Sequence, residues 1–438
     1  MRNYQSWGRY PKSEPNQIVP LHWLSEIQEL RRFSRPVLAH GQGRSYGDCC
    51  LNNGGILLDT LGLDRFIGFD TQTGILRCEA GVSLDAILRL AVPKGWFLPV
   101  TPGTQFVTVG GAIANDVHGK NHHRCGSFGC HVTAMEVLRS DGERVICTPH
   151  RNAALFCATI GGLGLTGLIL WAEFQLKPVA GPYIASEQIR FRKLEEFFEL
   201  SADSDKNYEY TVAWLDCISS GAKLGRGIFM RGNHSSRSAV PRSMRNGKGS
   251  AGGGFDAPEM LINHASMRAF NWLYFHRQRR DAVAQVVPYE KFFYPLDVVP
   301  GWNRLYGQRG FLQYQFVVPY DRQQAVQEIL QLIERSGQVC TLAVLKVFGE
   351  IPSPGMLSFP RPGVTLAMDF PMQGRPTLEL CDRFDEMVRA GGGAVYPAKD
   401  ARMSPSSYQT FFPSWQEFTN FQDPQFSSDF WRRVTPAG

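Results

Sequence analysis

Short runs of aliphatic residues, separated by glycine-rich breaks, follow one another from residue 35 to residue 176. Five of these runs predict β-strands, namely PVLAH, GGILLDT, GILRCEAG, TAMEVLRS and GLILWAEFQL. One segment has helical spacing instead, because the apolar face of residues 84–91 follows Ser83, a suitable N-cap, and ends at Pro93. This region is therefore predicted to be rich in strands and tight turns, with one clear helix.

The segment KPVAGP at 177–182 has the composition of a domain boundary. Beyond it, four runs with strand patterns follow, YTVAWLDCI, FLQYQFVVPY, CTLAVLKVF and VTLAMDFPM. Helical spacing occurs at 323–336 and 377–390. These patterns predict an α+β domain in which antiparallel strands carry helices on one side.

The 438-residue chain has 46 Lys and Arg against 40 Asp and Glu, a net charge of +6, with 43% hydrophobic residues and 44 glycines. This composition rules out a disordered tail, a collagen-like repeat and a disulfide-held miniprotein. Its ten cysteines are scattered through core-like segments, which favours reduced thiols. No apolar run reaches the ~18 residues that span a bilayer, and no Sec signal peptide is recognised. We therefore expect a cytoplasmic protein, or one peripheral at the inner face of the membrane.

Most of the net charge lies in residues 231–254, which hold five basic residues, no acidic residue and six glycines. Such a segment is predicted to be a solvated, flexible loop. A second interpretation is a lid or patch that meets an anionic headgroup or phosphate. Nucleic acid is not expected as a partner, because the run contains no aromatic residue and no nucleic-acid-binding motif surrounds it.

Two glycine motifs resemble a dinucleotide-binding motif, but neither is followed by the helix that such a site requires. Residues 41–47 are spaced G-x-G-x-x-x-G and lead to another strand, whereas Gly162, Gly164 and Gly167 have the G-x-G-x-x-G spacing but enter a strand instead of a helix. Tight turns of this kind expose backbone N–H groups that can approach a pyrophosphate closely. A nicotinamide-binding Rossmann site is therefore disfavoured.

The block at 102–123 combines glycine pairs with polar groups and runs into HHRCGSFGCH. The histidines and cysteines of that stretch match none of the usual structural zinc spacings, so no metal is predicted. His118 lies between Asn115 and Asn121 in this glycine-rich segment, which favours a ligand-facing side chain.

Together, HGQGRSYGD, TPGTQFVTVGGAIANDVHGKNHH, GSFG and ATIGGLGLTG resemble the FAD-binding domain of the vanillyl-alcohol-oxidase/PCMH flavoenzymes. Within that superfamily, the chain is most similar to the decaprenylphosphoryl-β-D-ribose oxidases, through WNRLYG, GFLQYQFVVP, LKVFG, LSFPRPG, DFP and YPAKDAR. The resemblance implies an α+β, two-domain PCMH-type FAD-binding fold with an antiparallel-sheet substrate domain. The implied divisions are a FAD-binding domain at 1–180, a substrate domain at 181–393 and a C-terminal segment at 394–438 that returns to the FAD domain.

The resemblance also implies which residues hold FAD, and they are Ala39, His40, Gly41, Gln42, Gly43, Arg44, Ser45, Tyr46, Gly47, Asp48, Cys49, Gly103, Thr108, Val109, Gly110, Gly111, Asn115, Asp116, Val117, His118, Ile169 and Tyr396. Several relatives attach the flavin covalently through a histidine in a G-x-G-H-S sequence. Arg44 stands at that place here, so the FAD is expected to be noncovalent.

On the substrate side, the resemblance implies Gln313, Gln315, Lys346, Phe348, Ala367 and Lys399. Tyr46 and His118 are expected against the isoalloxazine. Lys399 is expected to act as a cation or proton relay, with His118 sharing the proton through a hydrogen bond to it. Ala367 replaces a cysteine of the mycobacterial oxidases, so a thiol-directed inhibitor has no target there.

The implied activity is FAD-dependent oxidation of the ribose 2-hydroxyl of a polyprenyl-phosphoryl-β-D-ribose to the 2-keto sugar. This is the first half of an epimerisation to the arabinose form, and an NAD(P)H-dependent ketoreductase partner would supply the second half. The lipid substrate makes peripheral membrane contact an expectation. The alternative is a FAD-dependent alditol or aldonolactone oxidase that acts on a soluble sugar.

Overall fold

The computed structural model describes residues 3–27, 30–236, 256 and 258–435. In chain order its strands are β1 Gln17–Pro20, β2 Val37–His40, β3 Ile56–Asp59, β4 Phe66–Phe69, β5 Ile75–Glu79, β6 Trp96–Phe97, β7 Val132–Leu138, β8 Arg144–Cys147, β9 Leu168–Gln175, β10 Lys177–Pro178, β11 Tyr183–Phe191, β12 Tyr210–Leu215, β13 Gly227–Ser235, β14 Ala282–Pro288, β15 Phe311–Val318, β16 Leu342–Phe348, β17 Gly363–Pro371 and β18 Ala394–Val395.

The α-helices of the described residues are α1 Leu84–Ala91, α2 Val109–Ala114, α3 His122–Cys125, α4 Ala153–Thr159, α5 Leu194–Ser204, α6 His264–His276, α7 Tyr289–Phe293, α8 Gln324–Ser336, α9 Arg375–Ala390, α10 Pro405–Phe411, α11 Trp415–Phe418 and α12 Asp429–Val434. No helix in these parts of the chain has the length and apolar character needed to cross a bilayer.

Three larger sheets organise the described residues. The first is parallel, in the order β1-β3-β2, and the second is antiparallel, in the order β4-β5-β9-β7-β8. The third is an eight-stranded antiparallel sheet in the order β14-β11-β13-β12-β16-β17-β15-β18. The predicted α+β class is confirmed.

All nine runs with a predicted strand pattern form strands, and the three predicted helices form as α1, α8 and α9. Ser83 caps α1 by accepting a hydrogen bond from the backbone N–H of Ala86. Both glycine motifs also have the expected context, since the turns at 41–47 lead into β3 without an intervening α-helix and the motif at 162–167 enters β9.

The large sheet carries helices on both faces, so the prediction of helices on one side is wrong. Ala213 and Leu215 of β12 point into the core shared with α5, α8 and α9. Trp214 lies between them in sequence and packs with Phe275 of α6 in a separate cluster. Because successive side chains of a strand point to opposite faces, α6 covers the other face of the sheet.

The basic segment begins inside a strand and not in a loop. Residues 231–235 are the end of β13, where Arg231 forms ion pairs with Glu187 at 2.8 Å and with Asp203 at 3.0 Å. Arg231 is therefore held in place by strand pairing and by two carboxylates, although the composition of residues 231–254 predicts a flexible loop. The remainder of the predicted flexible loop, 237–254, lies outside the described residues.

The C-terminal segment contacts both the large sheet and the N-terminal strands. β18 pairs with β15, and Phe426 forms a parallel bridge with Val37 at the start of β2. Arg433 of α12 binds Asp48 and Asp400, each at 2.8–2.9 Å. These contacts agree with a segment that returns to the N-terminal region, while the domain boundaries at 180 and 393 stay a prediction.

Candidate active site

One large cavity lies between the glycine turns of the N-terminal region and the eight-stranded sheet. It contains about 1820 Å³ of space free of protein atoms, its open mouth included. Its lining comes from both the glycine turns and the eight-stranded sheet, so two different ligands can meet in it.

The glycine turns give one wall of the cavity a bare backbone. A Cβ on Gly41 would lie 2.5 Å from Thr108 Oγ1, and one on Gly110 would lie 3.1 Å from the Cβ of Ala80. Gly43 has a φ of +63°, in the left-handed region that favours glycine. Thr108 Oγ1 accepts a hydrogen bond from the Gly111 N–H at 3.1 Å and so fixes this wall. Such a cradle fits the pyrophosphate of FAD, which needs close approach of backbone N–H groups.

Most of the predicted site residues line this cavity. From the cofactor set these are Ala39, Gly41, Gln42, Gly43, Arg44, Ser45, Tyr46, Cys49, Gly103, Thr108, Gly110, Gly111, Asn115, Val117, His118, Ile169 and Tyr396. From the substrate set they are Gln313, Gln315, Lys346, Ala367 and Lys399.

Six predicted residues do not line the cavity, and their roles stay a prediction: His40, Gly47, Asp48, Val109, Asp116 and Phe348. Three of them are held by the protein itself. Asp48 binds Arg433, and Asp116 accepts hydrogen bonds from the Gly129 N–H and the Ser358 hydroxyl. Gly47 packs against the carbonyl of Asp400.

The other three fill space between elements. His40 is buried at the end of β2 beside the Tyr4 ring, and Val109 is fully buried in the core around α1. Phe348 is fully buried and packs on His118, with ring centroids 4.8 Å apart. A family motif contains residues that only support the site as well as residues that touch a ligand, and the motif alone does not distinguish the two kinds.

Arg44 is a partly buried cation on the cavity wall. Its guanidinium lies 4.0 Å from the Trp7 ring centre and 5.6 Å from the Phe106 ring centre. Its Nε has no hydrogen-bond acceptor among the described residues. Burial lowers the pKa of Arg44, with Asp297 opposing this, but an arginine keeps its charge in proteins. The side chain is therefore placed to meet an anionic group.

Lys399 and Asp369 are two buried ionisable groups of the site that influence each other electrostatically. The Lys399 Nζ lies 3.7 Å from the centre of the Tyr46 ring. Asp369 accepts a hydrogen bond from the Gln313 amide at 2.5 Å, and its second oxygen has no hydrogen bond among the described residues. Burial lowers the pKa of Lys399 to about 7 and raises the pKa of Asp369 to about 7, while their mutual attraction opposes both shifts.

His118 is bound on both ring nitrogens. Lys346 Nζ lies 3.0 Å from Nδ1, and the Gln315 Nε2 lies 3.0 Å from the His118 Nε2. Burial and the nearby Lys346 hold the pKa of His118 well below its usual range, so the ring is neutral. The expected hydrogen bond from His118 to Lys399 is replaced by this contact with Lys346.

The two contacts of a neutral His118 bear on the protonation state of Lys346. A neutral imidazole has one donor and one acceptor, so Lys346 and Gln315 cannot both donate to His118. Burial and the charges of Lys120 and Lys399 lower the pKa of Lys346 to about 7. The nitrogen and oxygen of a side-chain amide are nearly indistinguishable, so the Gln315 amide can turn to let Oε1 accept from Nε2–H. An uncharged Lys346 then donates to Nδ1 and keeps its lone pair free to accept a proton.

Sequence reasoning missed several apolar residues of the cavity, namely Trp7, Leu296, Trp302, Leu342 and Val344. Strand alternation could have found two of them. Leu342 and Val344 share a face of β16 with Lys346, whereas Ala343 and Leu345 point into the opposite core. Trp7 and Trp302 come from distant parts of the chain and pack with centroids 5.7 Å apart, a contact that no local pattern signals.

The histidine- and cysteine-rich stretch after residue 121 has other contacts. His122 packs on Phe348, and His131 makes a hydrogen bond to the Cys125 carbonyl at 2.8 Å. In the described part of the chain, no three His, Cys, Asp or Glu side chains are grouped to hold a metal ion. The cysteines described there are all free.

The proteins to which this chain is similar include FAD-binding domains and an oxidase, in agreement with a cofactor-binding cavity. Residues 24–148 match the model of an FAD-binding domain family. The chain is 38% identical to decaprenylphosphoryl-β-D-ribose oxidase of Mycolicibacterium smegmatis, over 99% of this chain and 97% of that one. It is 32% identical to an uncharacterised protein of Streptomyces coelicolor, over 81% of this chain and all of that one.

A more distant similarity is confined to one part of the chain. Delta(24)-sterol reductase of Rattus norvegicus is 35% identical over 30% of this chain and 25% of that one. The full-length similarity to the oxidase and the FAD-binding match together identify a FAD-dependent oxidoreductase. The chain belongs to the decaprenylphosphoryl-β-D-ribose oxidase family of PCMH-type flavoproteins.

Proposed function

We propose that this protein oxidises the ribose 2-hydroxyl of a polyprenyl-phosphoryl-β-D-ribose to the 2-keto sugar, with noncovalent FAD as its cofactor. The observation that carries this proposal is a single cavity with a glycine-built wall on one side and Gln313, Gln315, Lys346 and Lys399 on the other. The relative that matches over 99% of the chain is a ribose oxidase, so a soluble-sugar alditol oxidase is not favoured.

Oxidation of a secondary alcohol removes a hydride from carbon and a proton from oxygen. FAD, when bound, supplies the hydride acceptor that amino-acid side chains lack. The protein's task is to hold the sugar and to receive the hydroxyl proton. Gln313 and Gln315 are both buried and point to the same side of β15, where their amides are suited to bind sugar hydroxyls.

The proton acceptor in this proposal is the uncharged Lys346, supported by His118. An amine with a pKa of about 7 is well matched to proton transfer near neutral pH. His118 has a pKa far below that value, so it orients Lys346 through Nδ1 and is itself a poor base. This assignment moves the proton work from the expected Lys399–His118 pair to Lys346.

Lys399 has the complementary role of a cation. It lies on the Tyr46 ring at the edge of the glycine-built wall, with Asp369 nearby. A positive charge at this place stabilises the negative charge that leaves with the hydride when the alcohol is oxidised. Arg44 stands on the same wall and is suited to bind the substrate phosphate or an anionic part of the cofactor.

The proposed reaction is half of an epimerisation. A 2-keto sugar must be reduced from the opposite face to give the arabinose form, which requires a hydride donor. We therefore propose an NAD(P)H-dependent ketoreductase as a functional partner. The polyprenyl tail of the substrate also requires the protein to work at a membrane surface.

The decisive assay follows the bleaching of flavin absorbance in the purified holoprotein under anaerobic conditions. A prenyl-phosphoryl ribose should bleach the flavin, and the 2-keto product should be found by mass spectrometry. Free alditols and aldonolactones are the matched comparison. Reduction by those sugars, with none by the prenyl-phosphoryl ribose, would replace this proposal with the alternative.

The flavin is expected to be released intact when the protein is denatured with acid. Arg44 occupies the position at which relatives carry the histidine that bonds to flavin, and a guanidinium forms no such bond. All yellow colour should pass to the supernatant and have the mass of FAD. Flavin that stays with the precipitated polypeptide would contradict noncovalent binding at this loop.

A further inference from the structure

Helix α6 presents an apolar surface to solvent on its outer face. Phe270, Trp272 and Leu273 have exposed fractions of 51%, 54% and 61%. Met260 and Leu261, just before the helix, are also exposed. These five residues are called the α6 patch below. Large apolar side chains exposed close together along one segment are typical of an interaction site.

The outward orientation of the α6 patch is fixed from beneath. Asn271 donates a hydrogen bond to Asp216 at 2.8 Å, and Phe275 packs on Trp214 in the large sheet. Asn263 caps the start of the helix through the backbone N–H groups of Ala265 and Ser266. The helix therefore cannot rotate to hide its aromatic residues without losing buried contacts.

The segment that carries the α6 patch is mostly positive, and its nearest acidic residues in sequence are Glu259 before it and Asp281 after it. Residues 260–280 contain four arginines, Arg268, Arg277, Arg279 and Arg280, and no acidic residue. Arg268 and Arg277 lie at the two edges of the exposed arc of α6, with Trp272 and Leu273 between them, since residues are 100° apart on a helix. Asp281, which follows, is paired with Arg190 at 2.7 Å.

The α6 patch is connected to the active-site cavity through the sheet. α6 packs on the cluster that contains Leu342, and Leu342 also lines the cavity. A second exposed apolar strip, Val298 and Val299, lies between Leu296 and Trp302, which both line the cavity. Exposed apolar residues therefore lie only a few positions in sequence from residues that line a cavity whose proposed substrate has a lipid tail.

We propose that the α6 patch docks onto the surface of a bilayer that contains anionic lipid. An in-plane helix with aromatic and aliphatic residues at its centre and arginines at its edges has the pattern of an interfacial membrane contact. The four arginines select an anionic surface over a neutral one. The location of the surface rests on geometry and charge, whereas its purpose, access to a lipid-linked substrate, rests on the proposed function.

The test measures co-sedimentation of the holoprotein with vesicles of phosphatidylcholine, with or without phosphatidylglycerol. The unmodified protein should bind the vesicles that contain phosphatidylglycerol, and added salt should weaken this binding. The double variant Trp272→Ala, Leu273→Ala should bind at least about tenfold more weakly. Arg279→Gln with Arg280→Gln should reduce the preference for the anionic vesicles.

Trp23→Ala is the matched control, because Trp23 is 51% exposed and belongs to another part of the fold. It should sediment like the unmodified protein. Each variant is checked for bound flavin, and Phe270→Ser is a milder alternative if the double variant loses it. Equal vesicle binding by the patch variants and Trp23→Ala would overturn the proposal. The proposal would also be overturned if the patch variants bound vesicles like the unmodified protein but no longer bound a protein partner.

A water-soluble, short-chain prenyl-phosphoryl ribose separates this proposal from the proposed function. The patch variants should oxidise it at the unmodified rate, since none of the changed residues lines the cavity. Vesicle binding without turnover of this compound would refute the proposed function and leave the docking surface standing. Turnover without vesicle binding by the unmodified protein would refute the docking surface alone.

Discussion

Replacing Lys399 with methionine is expected to slow substrate-dependent reduction of the bound flavin by about 10²–10³-fold. Methionine keeps the length and apolar stem of lysine and removes the charge that lies over the Tyr46 ring. Asp369 loses its neighbouring cation but is already shifted by burial to a pKa of about 7, so it can take up a proton. The fold and the bound FAD should therefore survive, and stopped-flow absorbance measures the rate.

The pH dependence of this step follows from the same residue. The pKa of Lys399 is lowered to about 7, so its cation is present below that pH and is lost above it. Lys346 has a similar pKa but acts uncharged, so its contribution grows as the pH rises through about 7. The reduction rate should consequently pass through a maximum near neutral pH.

The variant Lys399→Arg distinguishes the acid side of this pH profile, where the rate rises, from the alkaline side, where it falls. An arginine stays charged at every accessible pH, so Lys399→Arg should keep the acid limb and remove the alkaline one. Lys291→Met, at an exposed lysine, is the control and should leave rate and profile unchanged. An alkaline limb that persists in Lys399→Arg would show that Lys399 is not the titrating cation.

The sequence was most informative where local pattern and chemistry coincide. Strand periodicity located β15, and its alternation placed Gln313 and Gln315 on one side, where both line the cavity. The family motifs located the glycine turns and Lys399, although they marked Asp48 and Phe348 equally. Those two residues differ from their neighbours only in their tertiary contacts, with Arg433 and with His118.

Tertiary packing decided what the sequence left open. The neighbour of His118 was predicted to be Lys399, yet Lys346 reaches it because β16 lies beside the loop that carries His118. Helix α6 was not predicted at all, since its apolar residues point both to the sheet and to solvent and give no clear helical stripe. An amphipathic pattern identifies a helix that covers a core, but it fails for one whose outer face is also apolar.

Replacing Gly47 with alanine is expected to destabilise the fold by about 3 kcal/mol or more and to release FAD. A Cβ at Gly47 would lie 1.6 Å from the carbonyl oxygen of Asp400, a backbone atom that cannot rotate away. The backbone of Asp400 is held in turn, because its carboxylate binds Arg433 and the backbone N–H of Met403. Either the glycine turn or the C-terminal segment must move.

The turn cannot move without disturbing the cofactor cradle, because the Tyr46 N–H donates to the Ala398 carbonyl at 2.9 Å and Tyr46 lines the cavity. The loss should therefore appear both in the thermal unfolding midpoint and in the flavin retained after gel filtration. Gly68→Ala is the control, since that glycine is exposed in β4 and a Cβ there meets nothing within 4 Å. It should change stability by less than about 0.5 kcal/mol. A Gly47→Ala protein with full flavin content and an unchanged midpoint would mean that the contact between the turn and the C-terminal segment does not hold the cradle in place.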